Sequence, residues 1–360
     1  DIAPGPERGR FQGYLSGVYA FAAVAGPILG GYLTFYLSWR AVFWLNLPLG
    51  AVALITARKV LQGRGSAQRQ HRIDYLGALL LAATLSSLMI GLTRLGQGHG
   101  LTEWPTALLF GGAAVLGFLT AKQEQRATEP LLQPSHMRDR TVVLCCVILA
   151  LQFFVLIGST VMTPMAMQSL TGAGLNDVAL RMLPLTLGIP TGSFAGGRWL
   201  WASGSVKPPV MAAGLLAALG GAVFALDPML TGVAQFLGLL TLGLGLGLSM
   251  APCLVAAQTA VAPREVGVVT ATVALCRTLG GAIGIAVLSS ILFAVVGAAS
   301  GSGGGAALSA LLADGARGVA PSPQLVQGFR LAFATASAMS LLVILLGSRL
   351  PAGLSTRRGH

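Results

Sequence analysis

The chain alternates between long apolar runs and short polar breaks. The runs fall at about 11–36, 41–61, 74–93, 104–121, 141–168, 177–197, 208–226, 230–260, 266–297 and 326–347. Most are near or above the ~20 residues that carry an α-helix across a bilayer. The breaks hold the charges and turn formers: a basic stretch with Arg58, Lys59, Arg64, Arg69, His71 and Arg72, a charged loop from Lys122 to Arg140, and a Gly/Ala/Ser-rich loop at about 298–325. This pattern predicts an all-α polytopic membrane protein with about ten transmembrane helices.

Composition narrows the class. Hydrophobic residues are 54% of the chain and charged ones 9%, against about 25% charged in soluble domains. Ten spans use up most of the 360 residues, so no soluble catalytic domain fits beside them. The net charge of +12 invites a nucleic-acid partner, but the basic residues sit in short loops between apolar runs. With the first loop placed in the cytoplasm and the rest alternating, the far side holds Arg40, Arg94, Arg181, Arg317 and Arg330. Arg277 lies within the ninth run, and every other Lys and Arg is cytoplasmic. That asymmetry is the positive-inside rule at work. Cys145, Cys146, Cys253 and Cys276 sit inside apolar runs without CxxC spacing and read as small packing residues.

The first run, GYLSGVYAFAAVAGPILGG from Gly13 to Gly31, is unusual for a helix. In water, each glycine would cost roughly 1 kcal/mol against alanine. In lipid the backbone must satisfy itself, and Gly13/Gly17 and Gly26/Gly30 offer strips where another helix approaches closely. Pro27 removes a backbone donor and bends the helix. The order Gly13, Ala22, Gly26, Pro27, Gly30, Gly31 resembles the antiporter motif in the fifth span of major facilitator superfamily exporters, Gly-x8-Gly-x3-Gly-Pro-x2-Gly-Gly, with Ala22 in place of the second glycine. SWRAVFWLNLPLG, Ser38 to Gly50, resembles the signature that opens the sixth span of the fourteen-span drug:proton antiporters. APREVGVVTATVALCRTLGGAIG, from Ala262 to Gly284, resembles the start of that family's penultimate span.

The resemblance implies a major facilitator helical bundle with ten spans here of an expected fourteen, and an N-terminal truncation. Residues 1–62 would close the N-terminal half, 63–140 would carry the two inserted spans, and 141–360 would be the six-span C-terminal half. The full protein would be a multi-pass protein of the cell (inner) membrane that exports drugs or amphipathic small molecules in exchange for protons. Its partners would be membrane lipids, the substrate and protons, with no cofactor, metal or nucleic acid.

Candidate chemistry is sparse. All eleven acids lie in loops or at span ends. An acid at membrane depth is normally functional, so either the coupling acid belongs to spans outside this chain or the branch is not proton-coupled. Arg277 is the one cation in mid-span: a cavity-facing charge, or an arginine reaching a carbonyl. Asn46, Gln152 and Gln258 are the other substrate-cavity candidates, each able instead to bond a neighbouring helix. Met162, Met165 and Met167 could form an adaptable wall or simple core. Gly196, Gly197, Arg198, Gly204, Lys207 and Pro208 resemble a degenerate gating loop, with Trp201 and Ala202 replacing its Asp-Arg pair. No HExxH, Walker or GxSxG motif occurs, so an enzyme is disfavoured. A metabolite, sugar or siderophore exporter and a non-transporting scaffold remain the alternatives.

Overall fold

The computed structural model describes residues 33, 37–61, 74–96, 99–101, 103–124, 139–262, 265–300 and 321–351. The Gly13–Gly31 stretch, with Gly13, Ala22, Gly26, Pro27, Gly30 and Gly31, lies outside them.

The described residues form helices joined by short connections. They are α1 (Trp39–Leu61), α2 (Tyr75–Gly96), α3 (Trp104–Glu124), α4 (Arg140–Thr171), α5 (Leu175–Arg181), α6 (Leu183–Ser203), α7 (Lys207–Leu226), α8 (Gly232–Leu248), α9 (Met250–Thr259), α10 (Val266–Ser300) and α11 (Pro323–Ser348). Among the described residues, seven are long and apolar enough to cross a membrane, with α8 and α9 taken together. α1 and α6 are not among the seven. α1 carries Arg40, Asn46, Pro48, Arg58 and Lys59, and α6 carries two prolines and Arg198.

Local chemistry sets the ends. The Asp139 carboxylate caps α4, accepting from the N–H of Thr141 at 2.8 Å and of Val142 at 3.3 Å. Gly172 closes that helix at φ 64°, where a side chain would be strained. Ser322 caps α11, and Pro323 occupies its first turn, where a missing N–H costs nothing. Pro184 likewise starts α6, so the expected sixth span is two helices meeting at Met182.

From α4 onward the helices pack into one bundle, and glycines set the contacts. On α6, Gly188 lies against the backbone of Leu240, Gly192 against Leu244 and Gly196 against Leu248, all on α8. A Cβ at Gly188 would come within 2.9 Å of the Leu240 carbonyl oxygen. Both sets of numbers rise together, so α6 and α8 run parallel. α4 and α10 are also parallel: Gly280 lies on Ala150, Gly284 on Phe154, and Leu288 fills the space beside Gly158. α7 runs antiparallel to α8, with Gly220 on Leu242 and Gly245 on Ala217, and antiparallel to α11, with Gly214 on Ser340 and Gly347 on Val210. The core between the helices holds Phe329, Phe333, Leu239, Leu242, Leu246, Leu288 and Leu292 at one end. At the other end it holds Val142, Ile148, Leu149, Val210 and the cysteines.

α2 and α3 form a separate hairpin laid on α10. Polar side chains link its arms: Thr84 to Thr120 at 3.2 Å, Ser87 Oγ donating to Leu109 O at 2.8 Å, and Arg94 to Thr106 at 3.3 Å. Gln123 Nε2 donates to Asp74 at 3.2 Å at one end. At the other, Glu103 accepts from the Gly100 N–H at 3.1 Å and pairs with His99 at 2.9 Å.

Candidate functional site

The sequence-derived candidates fall on four helices. Gln152, Gln258 and Arg277 stand on α4, α9 and α10, which pack on one another. Asn46 stands on α1, exposed among Phe43, Trp44, Leu45 and Leu47, which are exposed too.

Gln152 is fully buried, and neither its Nε2 nor its Oε1 has a hydrogen-bond partner. The same holds for Ser159 Oγ and Thr163 Oγ1, seven and eleven residues further along α4. Steps of seven and four return to one face of a helix, so the three make a polar stripe inside the bundle. Ala150, Phe154 and Gly158, which touch α10, lie on the other side of α4. The stripe is therefore turned toward the remaining helices packed on α4, which are chiefly α11 and α9. Ser249, at the break between α8 and α9, is also fully buried with its hydroxyl unpartnered. A buried polar group left unpaired costs ~1–3 kcal/mol. The stripe holds donors and acceptors but no titratable group. It can bind a neutral hydroxyl, an amide or water, and it cannot store a proton.

Gln258 and Arg277 are occupied elsewhere. Gln258 Nε2 donates to Thr270 Oγ1 at 3.0 Å, tying α9 to the first turns of α10. The Arg277 guanidinium lies 4.1 Å from the centre of the Phe153 ring, a cation–π contact between α10 and α4. Arg181 is held by Asp177 at 2.6 Å on its own short helix. Gly196, Gly197 and Arg198 are not in a loop but inside α6. The chain turns only at Gly204, at φ 64°. Their helical state follows from the seam, since Gly196 packs on Leu248. Met162 and Met167 are buried core residues. A groove between α7 and α8, lined by Leu219, Val223, Leu237 and Thr241, is apolar and lies away from all these residues.

Sequence reasoning missed Ser159, Thr163 and Ser249, and did not foresee Thr270 and Phe153 as partners. The first two could have been found by extending the Gln152 face by whole turns.

The model of the Major Facilitator Superfamily matches residues 1–285. The chain belongs to this superfamily. Within it, the chain is 31% identical to an uncharacterized MFS-type transporter of Mycobacterium tuberculosis (strain ATCC 25618 / H37Rv), over 81% of this chain and 42% of that protein. It is 28% identical to the multidrug transporter protein MdtP of Bacillus subtilis (strain 168), over 81% of this chain and 54% of that protein. It is 29% identical to the aspyridones efflux protein of Neocamarosporium betae, over 79% of this chain and 52% of that protein. The chain thus spans about half the length of the curated relatives it matches. For a superfamily member with several apolar membrane-length helices, a multi-pass membrane protein is the plain reading.

Proposed function

We propose that this chain is part of a secondary exporter that moves drugs or amphipathic small molecules out of the cell across the inner membrane, by alternating access and in exchange for protons. The observation that carries this reading is the superfamily match over residues 1–285, which takes in both the Gly13–Gly31 stretch and Ser38–Gly50. Relatives bearing multidrug and efflux names support export rather than uptake. Residues 1–62 are assigned to the end of an N-terminal half, 63–140 to an inserted pair of spans, and 141–360 to a six-span C-terminal half. Together these are ten spans of a fourteen-span bundle.

In this reading the parallel seams α4/α10 and α6/α8 make the C-terminal half a stiff body, because backbone against backbone leaves no soft side-chain layer. Gly26 and Pro27 shape the contact that seals the two halves. The Gln152 stripe, Asn46, Gln258 and Arg277 supply the polar groups near the substrate path. The proton is carried by an acid beyond this chain.

The test is efflux from cells expressing the whole gene product that contains this chain, with ethidium as the probe. Expression lowers ethidium accumulation, a protonophore restores it, and Gly26→Leu abolishes efflux while the protein still inserts. Unchanged ethidium accumulation on expression overturns drug export. Normal efflux by an inserted Gly26→Leu variant overturns the sealing role. The aspyridones efflux relative favours a second reading, export of a metabolite. That reading predicts no ethidium efflux but accumulation of an endogenous compound when the gene is deleted.

A further inference from the structure

The four cysteines scattered through the sequence come together in one apolar cluster formed by α4, α9 and α10. They meet in pairs: Cys145 with Cys253, and Cys146 with Cys276. The second pair follows from the seam. α10 lies on α4 at Gly280–Ala150, Gly284–Phe154 and Leu288–Gly158, advancing four residues on both helices at each step. One turn earlier, the same register places Cys276 beside Cys146. The backbones touch at Gly280 and Ala150, and one turn away the two thiols lie within side-chain reach of each other, the first condition for a disulfide.

The pairs differ in access. Cys145 and Cys253 are both fully enclosed, whereas Cys146 is buried and Cys276 is only half-buried. Of the four, Cys276 is therefore the thiol a reagent reaches first. The surroundings of the pair are apolar, so an oxidant that partitions into hydrocarbon reaches it most readily. A lipid-soluble oxidant needs no water.

We propose that Cys146 and Cys276 are a redox-modifiable pair, closed into a disulfide by lipid-soluble two-electron oxidants of the quinone class. Two S–H bonds break and one S–S bond forms. The two protons and two electrons released reduce the quinone to its hydroquinone. The product ties α10 covalently to α4 and fixes the seam in the register described above.

Membranes containing the protein are treated with duroquinone, whose ring methyl groups block addition of thiols. Remaining thiols are then alkylated with N-ethylmaleimide in detergent. Peptide mass spectrometry is expected to find Cys146 joined to Cys276 in most chains, with Cys145 and Cys253 alkylated. Non-reducing electrophoresis is expected to show a faster band that reductant abolishes. Cys146→Ser and Cys276→Ser each remove that band, while Cys145→Ser and Cys253→Ser keep it. Alkylation of all four cysteines in the wild-type protein, or a bond joining any other two, overturns the proposal. The wild-type result stands even if a variant fails to fold.

Discussion

The α2–α3 hairpin and the α8–α9 passage have the same mean hydropathy in α2 and in 232–259, yet 11% of the α2 window is buried against 67% of the α8–α9 window. Apolarity alone therefore does not decide which helix is sheathed by protein and which is left outward. In lipid, water no longer drives apolar faces together, and helices associate through close packing and polar links. The hairpin relies chiefly on polar links, with Gly91, Gly112 and Gly117 touching side chains only, and the α6–α8 seam chiefly on close backbone packing. Across the hairpin run Thr84–Thr120, Ser87–Leu109 and Arg94–Thr106, while Gly111 has nothing near it. Across α6–α8 run Gly188, Gly192, Gly196, Gly243 and Gly247, each against backbone.

The comparison breaks most readily at the glycine seam. Gly192→Leu is expected to lower stability by about 3 kcal/mol or more, because the new side chain must displace the Leu244 backbone rather than a side chain. Gly111→Leu in the hairpin changes it by no more than about 0.5 kcal/mol. Thermal unfolding in detergent, followed by tryptophan fluorescence, reads both, and equal losses would erase the distinction.

The polar stripe gives a second, smaller contrast. Gln152→Met removes two unpartnered buried groups and is expected to raise stability by about 1 kcal/mol. Gln258→Met removes the bond to Thr270 and lowers it by a similar amount. A loss at Gln152 instead would mean that its amide is engaged by water or a ligand in the membrane.

Within the hairpin, Ser87→Ala is expected to cost about 0.6 kcal/mol, the usual worth of one such bond between helices in lipid. The same detergent unfolding curve checks it.

The smallest effect is at the exposed α2–α3 connection. Glu103 has its pKa lowered chiefly by the Gly100 N–H it accepts from; desolvation opposes this, and His99 and Arg94 lower it further. A carboxyl depressed on folding stabilises above its unfolded pKa and stops doing so as pH falls through the lower, folded value. Hydrogen exchange at the Gly100 amide should therefore lose protection on acidification across that window, and Glu103→Gln should remove the dependence.

Much of this architecture was legible in hydropathy. The runs at 208–226 and 266–297 lie within a few residues of α7 and α10. The break at Ser249 sits one turn before Pro252, whose missing N–H leaves the Leu248 carbonyl without its usual helical partner. Hydropathy could not show that Gly196–Arg198 continue a helix, since glycine next to arginine reads as a turn until its partner Leu248 is in place. Gln152 was visible as a polar residue in an apolar run, but its isolation depends on neighbours from other helices. The cysteines looked unrelated because Cys146 and Cys276 are adjacent only through the α4–α10 register. In the GLGLG run, Gly243 to Gly247, the glycines divide their faces: Gly243 and Gly247 meet α6, and Gly245 meets α7.

The four-residue rhythm of Gly188, Gly192 and Gly196 has a mechanical corollary. Sliding α6 along α8 by half a step would drive a methyl-bearing residue into a carbonyl where a notch had been. The pair can settle only at positions a full helical turn apart, about 5.4 Å. Such a joint behaves as a ratchet with widely spaced teeth: it holds its setting under small thermal forces and, if it ever shifts, does so in one jump.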